Sequence, residues 1–503
     1  MSGNPLKKLA GQTAMYGLPT IVGRLLNYAL VPYLTHIFLP AAYGTVTVFF
    51  SYMTFLNVFF TYGMETGLFN FSVHERNKDL VYSTALRSIF VTTILLVLPV
   101  ILFSDKIASL VLFPGHGNLV TWVILIVAMD ALTAIPFAKL REQNRPKRFA
   151  AIKIVNIIIN LGMNFFFFSL CKHAFENSPD SFFGNFYNPE IGIGYTFVAQ
   201  LIANVVSFLL LTPELSRIRY GFDNAILKKM LRYSLPLLIV GLAGMTNEAM
   251  DRILLKYILP KGIADAQVGI YGACYKIAIL MTIFTQAFKY AAEPFFFSHQ
   301  KEKDAHKLYG KVMNVFVIFG LIIFLGTTMN LSWIKHFVGE EYWPGLPVVP
   351  ILLLANLFLG MFFNLSIWYK LTGRTKFGMW LTLFGAVITL VLNLLWIPLS
   401  NSLYGGYMGS AWATLICYGT MMVISYFIGQ KYYRVDYDVI RVLGYLGFAI
   451  GLFFIGTYIK TDSVLLDLVL KNTLLLIYLV SVMFIEKPLK MLQRKPAENN
   501  PNP

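Results

Sequence analysis

The sequence predicts an all-α protein that crosses a membrane many times, and its composition and its apolar runs both support this fold class. Hydrophobic residues make up 57% of the 503 residues and charged residues only 13%, whereas soluble domains carry about 25% charged residues. Apolar runs of about 20 residues, each long enough to span a bilayer as a helix, follow one another with short polar breaks. Because backbone groups in lipid must satisfy one another, these runs are expected to be helices.

Fourteen membrane-spanning helices are predicted, one for each apolar run. Their expected bounds are 13–38, 43–70, 81–104, 119–140, 150–170, 191–213, 233–258, 268–292, 311–333, 346–370, 377–398, 407–430, 440–459 and 464–485. The last span is polar at its start, where Asp467 and Lys471 lie. An even number of spans places both ends of the chain on the same side of the membrane.

The net charge of +16 is explained by topology. Most Lys and Arg residues lie in alternate connections, which include Arg141–Phe149, Glu214–Lys229, His299–Lys311, Lys370–Lys376 and the tail Glu486–Lys495. Basic residues accumulate in the cytoplasmic loops of membrane proteins, so both termini are predicted to be cytoplasmic. The basic charge is thus attributed to topology and not to nucleic-acid binding, and it does not require a role in binding anionic lipid headgroups. The lipid bilayer remains an expected partner of the protein as a whole.

An internal repeat divides the chain. The segment "YGLP" at Tyr16 returns as "YSLP" at Tyr233, and "KLREQNRPKRF" at Lys139 is matched by "KLTGRTKF" at Lys370. Three further pairs share one offset of 228 residues: Tyr62 with Tyr290, Glu65 with Glu293, and Phe69 with Phe297. The sequence therefore predicts two related six-helix bundles, in 1–230 and 231–435, followed by two further helices and a cytoplasmic tail in 436–503.

The repeat also indicates a mechanism. Because each copy has six spans, both copies run in the same direction through the membrane. Transporters built from parallel repeats of this kind bind their substrates where the two halves meet, and one half rocks against the other. Alternating access is therefore the predicted mode of action, and a purely structural duplication is the alternative.

Three segments resemble the oligosaccharide flippases of the Wzx type, which belong to the multidrug/oligosaccharidyl-lipid/polysaccharide exporter superfamily. They are "LKKLAGQTAMYGLPTIVGRLLNYALVPYLT", "YGMETGLF" and "REQNRPKRF". The resemblance implies a MATE-like pair of lobes around a central cavity. It also implies a polyprenyl-diphosphate-linked oligosaccharide as substrate, moved from the cytoplasmic to the periplasmic leaflet of a bacterial cell inner membrane. Lipopolysaccharide O-antigen or capsule synthesis is the implied setting, with a polymerase complex as a candidate partner. In the similar lipid II flippases, two extra C-terminal spans help to form a groove for the lipid tail.

Three basic residues inside predicted spans are candidates for binding the diphosphate: Arg24, Arg252 and Lys276. An arginine near the bilayer centre costs several kcal/mol unless it faces protein or water. Its planar fork of donors suits a phosphate oxygen pair. The alternative is a structural ion pair with an acid on a neighbouring helix.

Span 7 carries the most charges, in "NEAMDRILLK". Glu248, Arg252 and Lys256 recur every four residues and share one helix face. A Glu248–Arg252 pair is expected, with Lys256 reaching towards the periplasmic interface. Glu248 or Asp251 is alternatively a proton or cation site that couples transport to an ion gradient.

A pair of repeat-related acids, Glu65 and Glu293, lies near the cytoplasmic ends of spans 2 and 8. An acid at a helix C-terminus faces the negative end of the dipole and needs a basic partner. Arg145, Arg374 or nearby loop lysines are the expected partners, in a cytoplasmic gate or a static clasp.

A stripe of amides on span 5 comprises Asn156, Asn160 and Asn164 at four-residue spacing. Such a stripe either lines a sugar path or hydrogen-bonds across helices.

Two rival functions remain open at this point. A drug or cation exporter of the same superfamily would prefer acids and aromatic residues in its cavity to arginine and lysine. A membrane polymerase or ligase would place catalytic groups on larger external loops than the sequence contains.

The sequence has no P-loop, so no ATP hydrolysis is expected. Cys171, Cys274 and Cys417 are scattered without metal-ligand spacing, and no cofactor is expected.

Overall fold

The computed structural model describes residues 28–216, 221–302, 304–399, 405–459, 461 and 463–486, and within these ranges it contains helices and loops but no β-strand. The first half contributes helices α1 (Leu30–Ile37), α2 (Pro40–Thr61), α3 (Met64–His74), α4 (Lys78–Leu102), α5 (Ser104–Leu110), α6 (Gly117–Glu142), α7 (Pro146–Phe165), α8 (Lys172–Asn177), α9 (Tyr195–Leu210) and α10 (Thr212–Leu215). The second half contributes α11 (Asn224–Ile258), α12 (Ala264–Ile277), α13 (Ile279–Ser298), α14 (Ala305–Met329), α15 (Leu331–Ile334), α16 (Val348–Leu365), α17 (Ile367–Leu371), α18 (Lys376–Trp396), α19 (Gly406–Tyr432), α20 (Val439–Tyr458) and α21 (Val464–Glu486).

The predicted fold class, an all-helical protein with many membrane spans, is confirmed. Among the described residues, eleven helices are long and apolar enough to cross a membrane, and α12 with α13 makes a twelfth if the bent pair is one span. Helix α11 coincides with predicted span 7 but carries too many polar residues to pass the same test. Predicted span 1 lies largely before residue 28, outside the described part. The count of fourteen therefore remains a prediction.

Two of the repeat-related spans break at different depths. Predicted span 2 is divided into α2 and α3 by Tyr62 and Gly63, which both adopt left-handed backbone angles (φ 34° and 71°). The Tyr62 hydroxyl, at 2.8 Å from the Ser88 hydroxyl, helps to hold this conformation, which is uncommon for a bulky residue. Predicted span 8 bends by 48° between Ile277 and Ile279. The two copies of the repeat thus differ in where their helices can flex.

The basic connections gather at one end of the helix bundle, which we call the basic end. Ion pairs join neighbouring connections there, for example Lys229 with Glu75 at 3.0 Å and Arg148 with Glu214 at 2.9 Å. The other end is called the opposite end, and it carries the 178–191 and 335–345 connections.

The two halves of the chain touch backbone to backbone near the opposite end. A Cβ atom added to Gly44 of α2 would lie 1.9 Å from the carbonyl oxygen of Asp265, and one added to Gly269 of α12 would lie 1.9 Å from the carbonyl oxygen of Pro40. Tyr342 adds a hydrogen bond across the same contact, because its hydroxyl donates to the Phe38 carbonyl oxygen at 2.7 Å. Only glycine allows such a close approach of α2 and α12.

Replacing this glycine tests the contact. We expect Gly44→Val to lower the thermal unfolding midpoint of the purified protein in lipid nanodiscs, since overpacking a tight contact costs about 1–3 kcal/mol. Gly326→Val is the matched control, because no atom lies within 4 Å of a Cβ added there. Equal midpoints for the two variants, measured by intrinsic tryptophan fluorescence, would contradict the contact.

Candidate functional site

A cluster of buried polar side chains lies where α11 packs against α12. Asp251 and Arg252, in α11 at the position of predicted span 7, are only 3% and 9% exposed. Asp251 Oδ2 accepts a hydrogen bond from the Tyr271 hydroxyl at 2.7 Å, and its Oδ1 lies 3.3 Å from Arg252 Nη1. The Arg252 guanidinium is 4.2 Å from the centre of the Tyr275 ring. These four residues form the intramembrane charge cluster.

The expected side-chain pair of Glu248 with Arg252 is not what the structure contains. Arg252 donates instead to the backbone carbonyl oxygen of Glu248, and its carboxylate partner is Asp251. The Glu248 residue is exposed. Tyr271 and Tyr275 of α12 lie beside the Asp251–Arg252 pair and orient the arginine side chain. The spacing of residues within α11 does not predict this orientation.

Lys256 is also placed differently from the expectation. Its Nζ lies 2.6 Å from Asp265 Oδ1 and 4.0 Å from the centre of the Phe113 ring. Lys256 is 7% exposed, so it is paired inside the protein and does not reach towards the interface. The pair links α11 to the start of α12, beside the tight contact of Gly44 and Gly269.

The two remaining candidate cations are Lys276 and Arg24. Lys276 lies in the last turn of α12, next to the 48° bend, and is half-buried. Arg24 lies outside the described residues.

Each repeat-related acid at the basic end has a cation partner. Glu65 forms a salt bridge with Arg141, and Glu293 forms one with Lys370 at 2.9 Å. Arg145 and Arg374, the arginines first considered for these acids, are engaged elsewhere. Arg145, together with Arg148, contacts the buried carboxylate of Glu214, and the Arg374 guanidinium lies 4.2 Å from the Tyr432 ring centre. Arg141 lies in the last turn of α6 and Lys370 in the last turn of α17, so each acid is paired with a cation on a neighbouring helix.

The amide stripe of α7 makes hydrogen bonds within the bundle. Asn156 Nδ2 donates to Asn204 Oδ1 at 3.1 Å and to Ser207 Oγ at 2.9 Å. Asn160 Nδ2 donates to Gln200 Oε1 at 2.7 Å, and Asn164 Nδ2 donates back to Asn160. The first two of these side chains therefore join α7 to α9.

Asp130 extends this network and was missed by the sequence reasoning. Asn204 Nδ2 donates to Asp130 Oδ1 at 2.9 Å, and Asn57 Nδ2 lies 3.5 Å from Asp130 Oδ2. The ammonium of Lys153 acts on this carboxylate electrostatically without a direct contact. The available signal was a single acid in the middle of an apolar run, which by itself marks a candidate functional residue.

Within the described residues, no group of three His, Cys, Asp or Glu side chains is placed to hold a metal ion. Cys171, Cys274 and Cys417 are buried and unpaired as thiols.

Comparison with known proteins places the chain in a family. A family profile described as "Polysaccharide biosynthesis protein" matches residues 9–300, which is more than half of the 503 residues. The chain belongs to the polysaccharide biosynthesis protein family. The resemblance found in the sequence is thus confirmed for family and fold. No curated protein matches this family member in sequence.

Solved structures share its fold at low sequence identity. A lipid II flippase MurJ in an inward closed conformation matches with a TM-score of 0.70 and 14% identity, covering 94% of this chain and 99% of that chain. An inward-facing multidrug resistance MATE transporter of the MOP superfamily matches with a TM-score of 0.58 and 14% identity, covering 84% and 97%. An outward-facing multidrug resistance MATE transporter matches with a TM-score of 0.55 and 13% identity, covering 84% of this chain and 94% of that chain. The family member therefore has the MurJ and MATE fold.

The charge cluster leads to a stability prediction. Asp251→Leu leaves the Arg252 charge buried without its carboxylate, which is expected to cost about 3–5 kcal/mol. Adding Arg252→Met removes the unpaired charge and should restore most of that loss, apart from about 1 kcal/mol for the Tyr271 hydroxyl that loses its acceptor. Thermal unfolding in nanodiscs measures both, with the exposed Glu248→Gln as control. A double variant less stable than Asp251→Leu alone would contradict the pairing.

Proposed function

We propose that the protein is a flippase for a polyprenyl-diphosphate-linked oligosaccharide, which it moves from the cytoplasmic to the periplasmic leaflet of a bacterial inner membrane for surface polysaccharide biosynthesis. The observation that carries the proposal is that a member of a polysaccharide biosynthesis family has the fold of a lipid II flippase and of multidrug transporters. Membership of the family supports a saccharide as part of the substrate, and the fold supports transport across the membrane.

The basic end is proposed to face the cytoplasm, together with both termini. Cytoplasmic loops of membrane proteins carry an excess of lysine and arginine, which supports this orientation. With this orientation, the backbone contact of Gly44 and Gly269 closes the periplasmic end. We propose that the structure corresponds to the state that receives substrate from the cytoplasmic side. Two bundles, 1–230 and 231–435, are proposed to rock against each other so that this contact opens in the opposite state, while 436–503 contributes to holding the lipid tail.

Arg252, Arg24 and Lys276 are the proposed ligands of the diphosphate. In this state the Arg252 guanidinium is occupied by Asp251 and stacked on Tyr275. A diphosphate has to compete with the Asp251 carboxylate for the same donors, since both are oxyanions. Substrate binding is thereby linked to the arrangement of α11 and α12, whose close contact with α2 closes the periplasmic end.

Asp130 is proposed as a site for the coupling proton or cation, in addition to Glu248 and Asp251. Its two oxygens are held by the amides of Asn57 and Asn204, and no basic group among the described residues forms a salt bridge with it within 4 Å. By contrast, Asp251 is already neutralised by Arg252. The acid–base pairs Glu65–Arg141 and Glu293–Lys370 each lie within one bundle and are proposed as static clasps inside that bundle at its cytoplasmic end. The Asn156, Asn160 and Asn164 stripe is proposed to pack helices.

The rival proposals are a multidrug or cation antiporter and a membrane polymerase or ligase. The MATE likeness concerns the fold alone, so it does not separate a drug from a glycolipid as substrate. Transport of the glycolipid itself has to be measured.

The deciding experiment is glycolipid flipping in proteoliposomes that contain the full-length protein, with an impermeant probe of the outer leaflet. We expect flipping of a polyprenyl-diphosphate oligosaccharide without ATP, and a loss of at least tenfold in Arg24→Ala, since a buried diphosphate loses a charged donor. The control is Lys307→Ala, whose side chain is 70% exposed at the basic end. Efflux of a cationic dye without any glycolipid flipping would assign the antiporter instead, and chain lengthening of the glycan would assign the polymerase.

Asp130→Asn tests the coupling site. The amide keeps a hydrogen-bonding shape but loses the charge that binds a proton or cation. We expect an imposed proton or sodium gradient to stimulate flipping in the wild type and to have little effect in the variant, while gradient-free flipping continues. Asp180→Asn, the same change in an exposed connection, is the control. Full gradient stimulation in Asp130→Asn would exclude this carboxylate from coupling.

A further inference from the structure

A small cavity lies inside the second half of the chain at the basic end, between α13, α16 and α17. Its volume is about 20 Å³, and its polar lining includes Lys289, Glu293, Asn364 and Lys370. A space of this size holds one water molecule or one oxygen atom of a larger group. The cavity is partly open, and Lys289 is on its exposed side.

Asn364 lines this cavity without any hydrogen-bond partner. The residue is 3% exposed, and neither Nδ2 nor Oδ1 contacts a donor or acceptor. Asn356, two turns earlier on α16, has the same burial but is satisfied: its Nδ2 donates to the Leu352 carbonyl oxygen, and its Oδ1 accepts from Thr282. Leaving a buried amide unsatisfied destabilises a fold, so such a group calls for a missing partner.

The charges around Asn364 favour an anion as that partner. Lys370 and Glu293 neutralise each other at 2.9 Å. Lys289 lies over the Phe363 ring at 4.6 Å from its centre, and among the described residues no carboxylate lies within 4 Å of its Nζ. The three charged groups therefore carry a net charge of +1, which suits a singly charged anion, while Glu293 repels a second negative charge.

At the two positions that the repeat aligns with Lys289 and Asn364, the first copy has neither an ammonium nor an amide. At the offset of 228 residues Lys289 corresponds to Thr61, and at the offset of 231 that aligns Lys139 with Lys370, Asn364 corresponds to Thr133. The hydroxyls of Thr61 and Thr133 are satisfied by carbonyl oxygens of their own helices, at 2.7 and 2.9 Å. The ammonium and the unsatisfied amide at these two positions are thus particular to the second copy, whereas the additional cation near the Glu65–Arg141 pair of the first copy is Lys153 on α7.

We propose that this cavity binds one phosphoryl group as a singly charged oxyanion. Asn364 Nδ2 donates a hydrogen bond to an inserted oxygen, and the Lys289 ammonium balances the charge at the open side. Two sources share this chemistry: inorganic phosphate and a phosphoryl group of a prenyl diphosphate. The second source rests on the proposed flippase function, whereas the anion site itself does not.

The experiment measures thermal unfolding of the full-length protein in nanodiscs during titration with inorganic phosphate, against sodium chloride of equal ionic strength. A ligand that binds only the folded state raises the midpoint in a saturable manner. We expect saturation with phosphate in the wild type, and a half-saturation concentration at least tenfold higher in Lys289→Met and in Asn364→Leu. Lys229→Met is the matched control, because it removes an exposed ammonium at the same end, and it should titrate like the wild type.

The Asn364→Leu variant also distinguishes a loss of phosphate binding from misfolding. Because it replaces an unsatisfied amide by an apolar side chain, its midpoint without phosphate should equal or exceed that of the wild type. Equal responses to phosphate and chloride, or unchanged saturation in both cavity variants, would overturn the site.

A second titration, with farnesyl diphosphate as the probe, identifies the source. A half-saturation concentration of farnesyl diphosphate below that of inorganic phosphate, with no saturation in Lys289→Met, would support a lipid-linked phosphoryl group. No response to farnesyl diphosphate beside a clear response to phosphate would overturn that source and retain the anion site. Phosphate binding in a protein that flips no glycolipid would reject the proposed function while leaving the cavity assigned.

Discussion

A charged side chain inside a bilayer has no water to solvate it, so the protein itself must supply its partners, and much of this structure follows from that constraint. Asp251 and Arg252 satisfy each other with the help of Tyr271 and Tyr275, and Lys256 is satisfied by Asp265. All of these contacts involve α11 or α12. The pairing of these charges therefore holds α11 against α12, next to the contact of Gly44 with Gly269.

That contact is unusual because it is made by backbone atoms. Gly44 and Gly269 allow α2 and α12 to approach until carbonyl oxygens occupy the space of a side chain. Without side chains between them, the two helices have little freedom to slide past each other. Motion of one half against the other is therefore expected to use other points, such as the break at Tyr62 and Gly63 and the bend after Ile277.

The two predicted copies of the repeat have matching ion pairs and different polar interiors. Both keep an acid–base pair at the basic end, Glu65 with Arg141 and Glu293 with Lys370. The first copy adds the Asp130 network, with carboxylate and amides, and the second adds a free amide and an ammonium around the small cavity. The duplication predicted from the sequence would account for the two matching ion pairs, and the differences mark where the halves could perform separate tasks.

The sequence by itself determined the helical membrane class, most span positions, and the acids Glu65 and Glu293 as members of ion pairs. Those features follow from local apolar length, the cost of charge in lipid and an internal offset, all of which are readable along the chain. Only the tertiary structure decided which partner each charge takes. Arg252 pairs with Asp251 and not with Glu248, and Glu65 with Arg141 and not with Arg145, because side-chain direction depends on the neighbouring helix. The Asp130 network and the empty hydrogen-bonding positions of Asn364 likewise arise from packing between helices, which one-dimensional spacing does not specify.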